Sequence, residues 1–139
     1  MVEDDPNNRQ LFREVFESSD FDMLIINNSD GDFVNSVLGF APDVISMDLM
    51  LGKPGGGESE RDGFEAIELL KNDDRTKDIP VFILTHFFEE SKVKKAKEFG
   101  VVDFISLQGQ STKNIPEIFL RYLKNPKKYL PTHPLLRNT

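Results

Sequence analysis

Two kinds of hydrophobic pattern alternate along the chain. Short apolar runs at Met23 to Ile26, Val44 to Met47, Val81 to Leu84 and Val101 to Ile105, the last interrupted by Asp103, predict strands. The stretches between them carry helical spacing. Asp5-Pro6 offers an N-cap followed by proline at the first helical position, and Leu11, Phe12, Val15 and Phe16 then form one stripe. Asp32 to Phe40 predicts a shorter helix. Phe64, Ile67 and Leu70 recur on one face with Glu65 and Glu68 on the other, and Glu89 to Phe99 is a charged helix stopped by Gly100. Ile115, Ile118, Phe119 and Tyr122 give a final stripe, with Pro116 tolerated only in its first turn.

Alternating strands and helices predict a parallel sheet covered on both faces, because such strands are buried on both sides and read as continuous apolar runs. The crossovers are long enough for right-handed βαβ units. Gly52 to Asp62 ("GKPGGGESERD") is one long loop of linker-like composition, and the proline-rich stretch after Lys124 predicts an extended segment too short for a second domain. The expected organisation is therefore one domain over residues 1–124 and a C-terminal extension over 125–139.

Composition narrows the chemistry. A length of 139 residues and 38% hydrophobic content suit one core of useful size. The net charge of −7 argues against nucleic acid or an anionic membrane as partner. With no cysteine and two histidines, disulfides, thiolate chemistry and cysteine- or histidine-rich metal sites drop out. No apolar run approaches the roughly 20 residues of a membrane span, and the acidic N-terminus is unlike a signal peptide. A cytoplasmic location is the expectation.

In an open parallel sheet, ligands bind beyond the carboxyl ends of the strands. Glu3, Asp4 and Asp5 follow the apolar Met1-Val2 there, Asp48 follows the run Val44 to Met47, and Thr85 follows Val81 to Leu84. A carboxylate at the end of a buried strand needs solvent or a compensating partner. Several converging on one edge repel each other unless a cation joins them, and oxygen-only ligands suit a hard ion, Mg²⁺ or Ca²⁺. For Asp5 alone, the cap of the helix starting at Pro6 is the better reading.

The stretches "VEDDP", "PDVISMDLM", "DGFEAIELLKNDDRTKDIPVFILT" and "AKEFGVVDFIS" resemble the receiver domain of two-component response regulators, over about residues 1–124. The resemblance implies a flavodoxin-like, doubly wound α/β fold with a five-stranded parallel sheet, its first strand short because only two apolar residues precede Glu3. It implies phosphoryl transfer onto Asp48 from a sensor histidine kinase or histidine phosphotransfer protein. Mg²⁺ would be held by Glu3, Asp4, Asp48 and the backbone carbonyl of Met50. Thr85 would contact the phosphoryl group, and Phe104 would move inward with it, although Phe104 reads equally well as plain core. The implied output is altered binding of a downstream protein, usually through the fourth helix, fifth strand and fifth helix, by a stand-alone regulator that is not itself an enzyme. A homodimer is compatible with this.

The sequence departs from the family in three places. Leu107 and Gln108 stand where the family has lysine and proline, so a charge-assisted hydrogen bond worth roughly 1.5–3 kcal/mol is missing. A pseudo-receiver, an interaction module with weak or no phosphorylation, is the alternative this raises. The loop after Asp48 is longer than usual, and Lys53 or Arg61 on it could replace the missing ammonium, though a solvated insertion is the simpler reading. The short first strand is the third. Other chemistries fit poorly: Met50 stands where a phosphohydrolase of this type carries its second aspartate, "GKPGGG" lacks the spacing of a phosphate loop, and the first strand is not followed by the hydroxyl- and glycine-rich loop a flavin would need. Lys92, Lys94, Lys95 and Lys97 read as a solvated helix face or a docking face for an acidic partner, and His86 as an ordinary half-exposed histidine.

Overall fold

Asp5 turns the chain out of the sheet edge and into the first helix: its carboxylate accepts hydrogen bonds from Asn7 N and Asn8 N, and Pro6 takes the position whose missing N–H costs nothing. The computed structural model describes residues 1–27, 31–49, 62–86 and 89–137. Its helices are α1 (Pro6–Glu17), α2 (Phe33–Phe40), α3 (Gly63–Asn72), α4 (Glu90–Glu98) and α5 (Ile115–Lys124). The strands β1 (Ile45–Met47), β2 (Val81–Thr85) and β3 (Asp103–Ser106) form a parallel sheet in the order β1-β2-β3.

The expected first and second strands are each reduced to a single bridging residue. Val2 lies between Ile26 and Met47, bridged to both in parallel. Val2 N donates to Ser46 O at 2.8 Å and Asp48 N donates to Val2 O at 3.0 Å, while Glu3 N donates to Ile26 O and Ile26 N to Met1 O. The five-stranded order is thus present, with three full strands among the described residues rather than five. The cause is local: the chain leaves the sheet at Glu3 to reach the Asp5 cap, so only Val2 can complete a ladder on both sides. Asp103 to Ser106 replaces the expected Val101 to Ile105, because Val102 N is already bonded to Val81 O before the ladder begins.

Period-two burial along β2 divides the core. Val81 and Ile83 point into one layer with Phe33 and Val37 of α2, Phe64, Ile67 and Leu70 of α3, and Val93 and Ala96 of α4. Phe82 and Leu84 point into the other, with Phe12 and Phe16 of α1 and Ile115, Ile118 and Phe119 of α5. The rings of that second layer meet at angles rather than stacked face to face, Phe82 and Phe119 at 4.4 Å between centroids and Phe16 and Phe119 at 5.3 Å. Leu11, expected on the buried stripe of α1, is 38% exposed: the helix needs only Phe12 and Phe16 to cover this layer. On α4, Lys94, Lys95 and Lys97 are exposed, and Lys95 lies over the Phe64 ring at 4.7 Å. Gly100 closes this helix at φ 75°, a conformation a side chain would strain.

The stretch after Lys124 is not simply extended. It forms short 3₁₀ turns at Pro126–Lys128 and Pro134–Leu136 and packs back on the domain, with Leu136 buried in the α3/α4 layer.

Phe119→Ala is expected to lower stability by about 3–5 kcal/mol, as for a large aromatic removed from a filled core. Leu120→Ala, next to it but 45% exposed, should stay within about 0.5 kcal/mol of wild type. Urea unfolding of the two variants checks the layer assignment; similar midpoints would contradict it.

Candidate functional site

At the carboxyl end of the sheet the ladder places three carboxylates side by side. Val2 is bonded to Met47's strand on one side, so Glu3 and Asp4 emerge next to Asp48. Oxygen atoms of Glu3, Asp4 and Asp48 all lie within 4.8 Å of one another, and Glu3 and Asp48 are buried. Thr85, the last residue of β2 and fully buried, donates its hydroxyl to Asp48 Oδ1 at 2.9 Å.

Such a cluster is held against its own repulsion. Burial pushes the Glu3 carboxyl up to about 8, and the charge of Asp48 and a hydrogen bond between the two carboxyls push in the same direction. Asp5 N donates to Glu3 Oε2 at 3.2 Å and opposes the rise. Around neutrality, then, Glu3 keeps a proton that it shares with Asp48. A divalent cation among the three oxygens would take over the proton's role, and the donor set, all oxygen with no nitrogen or sulfur, fits a hard ion.

Two supports were not evident in the sequence. Arg9, on the first full turn of α1, donates from Nη1 to Asp4 O at 2.9 Å and to Glu3 O at 3.4 Å, fixing the backbone on which both acids ride. Gly63 opens α3 directly beneath Asp48: a Cβ there would stand 2.3 Å from Asp48 O and 2.7 Å from Leu49 Cα. The only sequence signal for it was its place after Asp62. Asp62 caps α3 reciprocally, accepting from Glu65 N at 2.8 Å while Glu65 Oε1 accepts from Asp62 N.

Of the residues singled out in the sequence, Glu3, Asp4, Asp48 and Thr85 come together at this edge. Phe104 is buried on β3 one strand over, paired with Ile83, and its ring meets His133 edge-on at 6.1 Å. Leu107 is half-buried against the α1/α5 layer and brings no charge to the edge. Gln108 reaches across, Nε2 donating to the carbonyl of His86, which is itself exposed. Met50, Lys53 and Arg61 lie outside the described residues.

A family model for the response regulator receiver domain matches residues 1–114. The polar-differentiation response regulator DivK of Brucella anthropi is 28% identical over 130 residues, covering 94% of this chain and 93% of that protein. The phosphate regulon transcriptional regulatory protein PhoB of Klebsiella pneumoniae is 35% identical over 106 residues, covering 76% of this chain and 43% of PhoB. Among solved structures, the isolated receiver domain of RcsB from Salmonella enterica serovar Typhimurium superposes with a TM-score of 0.74 at 15% identity, over 95% of this chain and 90% of that one. No helix among the described residues is long and apolar enough to cross a membrane.

The pH dependence of stability separates the site from the rest of the chain. Glu3 binds a proton in the folded chain and not in the unfolded one between its ordinary value, 4.5, and about 8, so its contribution falls as pH rises through that window. The Met1 ammonium, lowered to about 5 by burial and by the Arg13 charge, contributes the opposite slope up to its ordinary value of 8.0. In chelator the wild type should therefore change little between pH 5 and 8, while Glu3→Gln, retaining only the amine's contribution, should gain stability as pH rises. Urea midpoints across this range check it, and parallel profiles for the two proteins would contradict the shared proton. Gly63→Ala should cost about 1–3 kcal/mol by forcing the Asp48–Leu49 backbone aside.

Proposed function

The chain belongs to the response regulator receiver domain family, and on that premise we propose that Asp48 is its phosphoacceptor and that the protein signals by a change in what it binds. Transfer of phosphoryl groups by kinases is general to this family, and the donor here is a phosphohistidine on a sensor kinase or phosphotransfer protein. A carboxylate oxygen of Asp48 forms the new P–O bond as the N–P bond breaks, and the imidazole leaves with the electron pair. The observation that carries this reading is the buried hydrogen bond from Thr85 to Asp48, inside a cluster of three converging acids.

Each residue of the edge has a part. Glu3, Asp4 and Asp48 would hold a Mg²⁺ ion, which when bound offsets the negative charge that develops on the phosphoryl oxygens. A cation held there would take the place of the proton on Glu3, and Asp48 would supply the attacking carboxylate oxygen. Thr85, already aimed at Asp48, is placed to donate its hydroxyl to a phosphoryl oxygen instead. Arg9 and Gly63 keep the two supporting backbones in register. Leu107 supplies none of the charge that the family's lysine brings, so the product is held by one charge-assisted bond fewer. Apposition of a partner follows from the changed edge, and the acidic composition favours a protein partner over nucleic acid.

Incubation with acetyl phosphate followed by intact mass should show a single phosphoryl adduct that requires Mg²⁺ and is absent in Asp48→Asn. Leu107→Lys should raise the adduct's steady-state yield by about tenfold, the effect of restoring one hydrogen bond to a charged group. No adduct in the folded wild type would overturn the reading and leave an interaction module on the same fold.

A further inference from the structure

The segment following α5 wraps the outer edge of the sheet. β3 is an end strand in the order β1-β2-β3, so its far side is open to pairing or docking. Tyr129 sits on one face of the sheet, its ring edge-on to Phe82 at 5.8 Å and to Tyr122 at 5.5 Å. Leu136 sits on the other face, buried with Val93, Ala96, Val101 and Phe104, and the turn Pro134–Leu136 lies on α4. Between these two anchors the chain crosses β3 at Asp103.

Asp103 is the clasp. It is 0% exposed and first in its strand, and its carboxylate gathers bonds from four donors. Tyr129 Oη donates to Oδ2 at 2.6 Å and Thr132 N to Oδ2 at 2.7 Å; His133 N donates to Oδ1 at 3.2 Å and Phe104 N to Oδ1 at 2.8 Å. Three of the four donors belong to the wrapping segment. Arg137 closes it on itself, Nε donating to Pro131 O at 2.8 Å. A buried carboxylate served in this way is a specific lock, because apolar packing alone would hold the segment without selecting one register.

The lock and the acidic edge are joined through one strand, with Asp103 at the start of β3 and Ser106, the partner of Thr85, at its end. Thr85, which bonds Asp48, pairs with Ser106 in β3, and Leu107 N donates to Thr85 O at 2.9 Å. Two residues before Ser106, Phe104 carries the His133 contact, and Asp103 precedes it. A shift of Thr85 towards a new group on Asp48 would thus act on the strand that holds the clasp.

From this we propose that residues 125–137 form a strap that covers the β3–α4 surface in cis and opens when the Asp48–Thr85 pair is altered. The proposal rests on the reading of Asp48 as phosphoacceptor for its natural trigger, but not for its existence. A protein that docks on this surface must displace the strap and reproduce its chemistry: an extended segment offering backbone N–H groups and a hydroxyl to Asp103, and an apolar side chain for the pocket Leu136 fills. By linkage, such a partner and the modification at Asp48 favour one another.

Hydrogen exchange of the full chain, followed by mass spectrometry of the peptide spanning 126–137, tests it. Asp103→Asn should speed exchange in that peptide roughly tenfold while β2 and α3 stay protected. Should that variant fail to fold, Tyr129→Phe, which keeps the ring and removes one clasp bond, should speed it roughly threefold. Wild-type exchange in either folded variant overturns the clasp. Acetyl phosphate with Mg²⁺, in a sample whose intact mass shows the adduct, should open the strap to a similar extent, and an adduct without any change in exchange overturns the coupling. If no adduct forms, the Asp48 reading has failed separately, and Thr85→Val decides the coupling alone: faster exchange in the strap supports it, and unchanged exchange overturns it.

Discussion

Everything at the working edge of this protein follows from the repulsion among three carboxylates on adjacent buried backbones. Val2 can pair with both of its neighbours only by delivering Glu3 and Asp4 beside Asp48. Two of the three acids are shielded from water, so the arrangement persists only if something positive lies between them. In the chain by itself that is a proton on Glu3, whose carboxyl rises to about 8. A hard cation would do the same work with more charge. The supports read as consequences of this need for exact placement: Arg9 pins the two carbonyls behind the acids, and Gly63 lets the backbone of Asp48 sit where a side chain would push it away.

Much of the fold was legible because local rules and tertiary demands agree. The Asp5-Pro6 cap, the α3 and α5 stripes and the Gly100 stop all appear where propensity and periodicity put them. The sheet was less exact at its margins. Val2 is the one described residue that bridges Ile26 to β1, so Met23 to Ile26 contributes only Ile26 to the sheet. Leu11 follows the helical period of its neighbours but faces water, since periodicity identifies a stripe without fixing how wide the covering layer must be.

The site was legible in its acids and opaque in its supports. Glu3, Asp4, Asp48 and Thr85 stand at strand ends, a position sequence reading can recognise. Gly63 and Asp103 act through contacts no local pattern encodes. Gly63 matters because the backbone at Asp48 passes under α3, and Asp103 because Tyr129 and Thr132 return to it from far along the chain. Within the sequence Asp103 read only as an interruption in an apolar run. A fully buried acid at the start of an edge strand needed donors, and that need was the available signal that the following segment folds back.

On the proposed reading, proton and cation compete for one place between Glu3 and Asp48. Titration calorimetry of Mg²⁺ near pH 7, repeated in buffers of different ionisation enthalpy, counts the protons released as the ion binds. About one proton should be released by the wild type and close to none by Glu3→Gln. Binding with no proton release from the wild type, or equal release from both proteins, would contradict it.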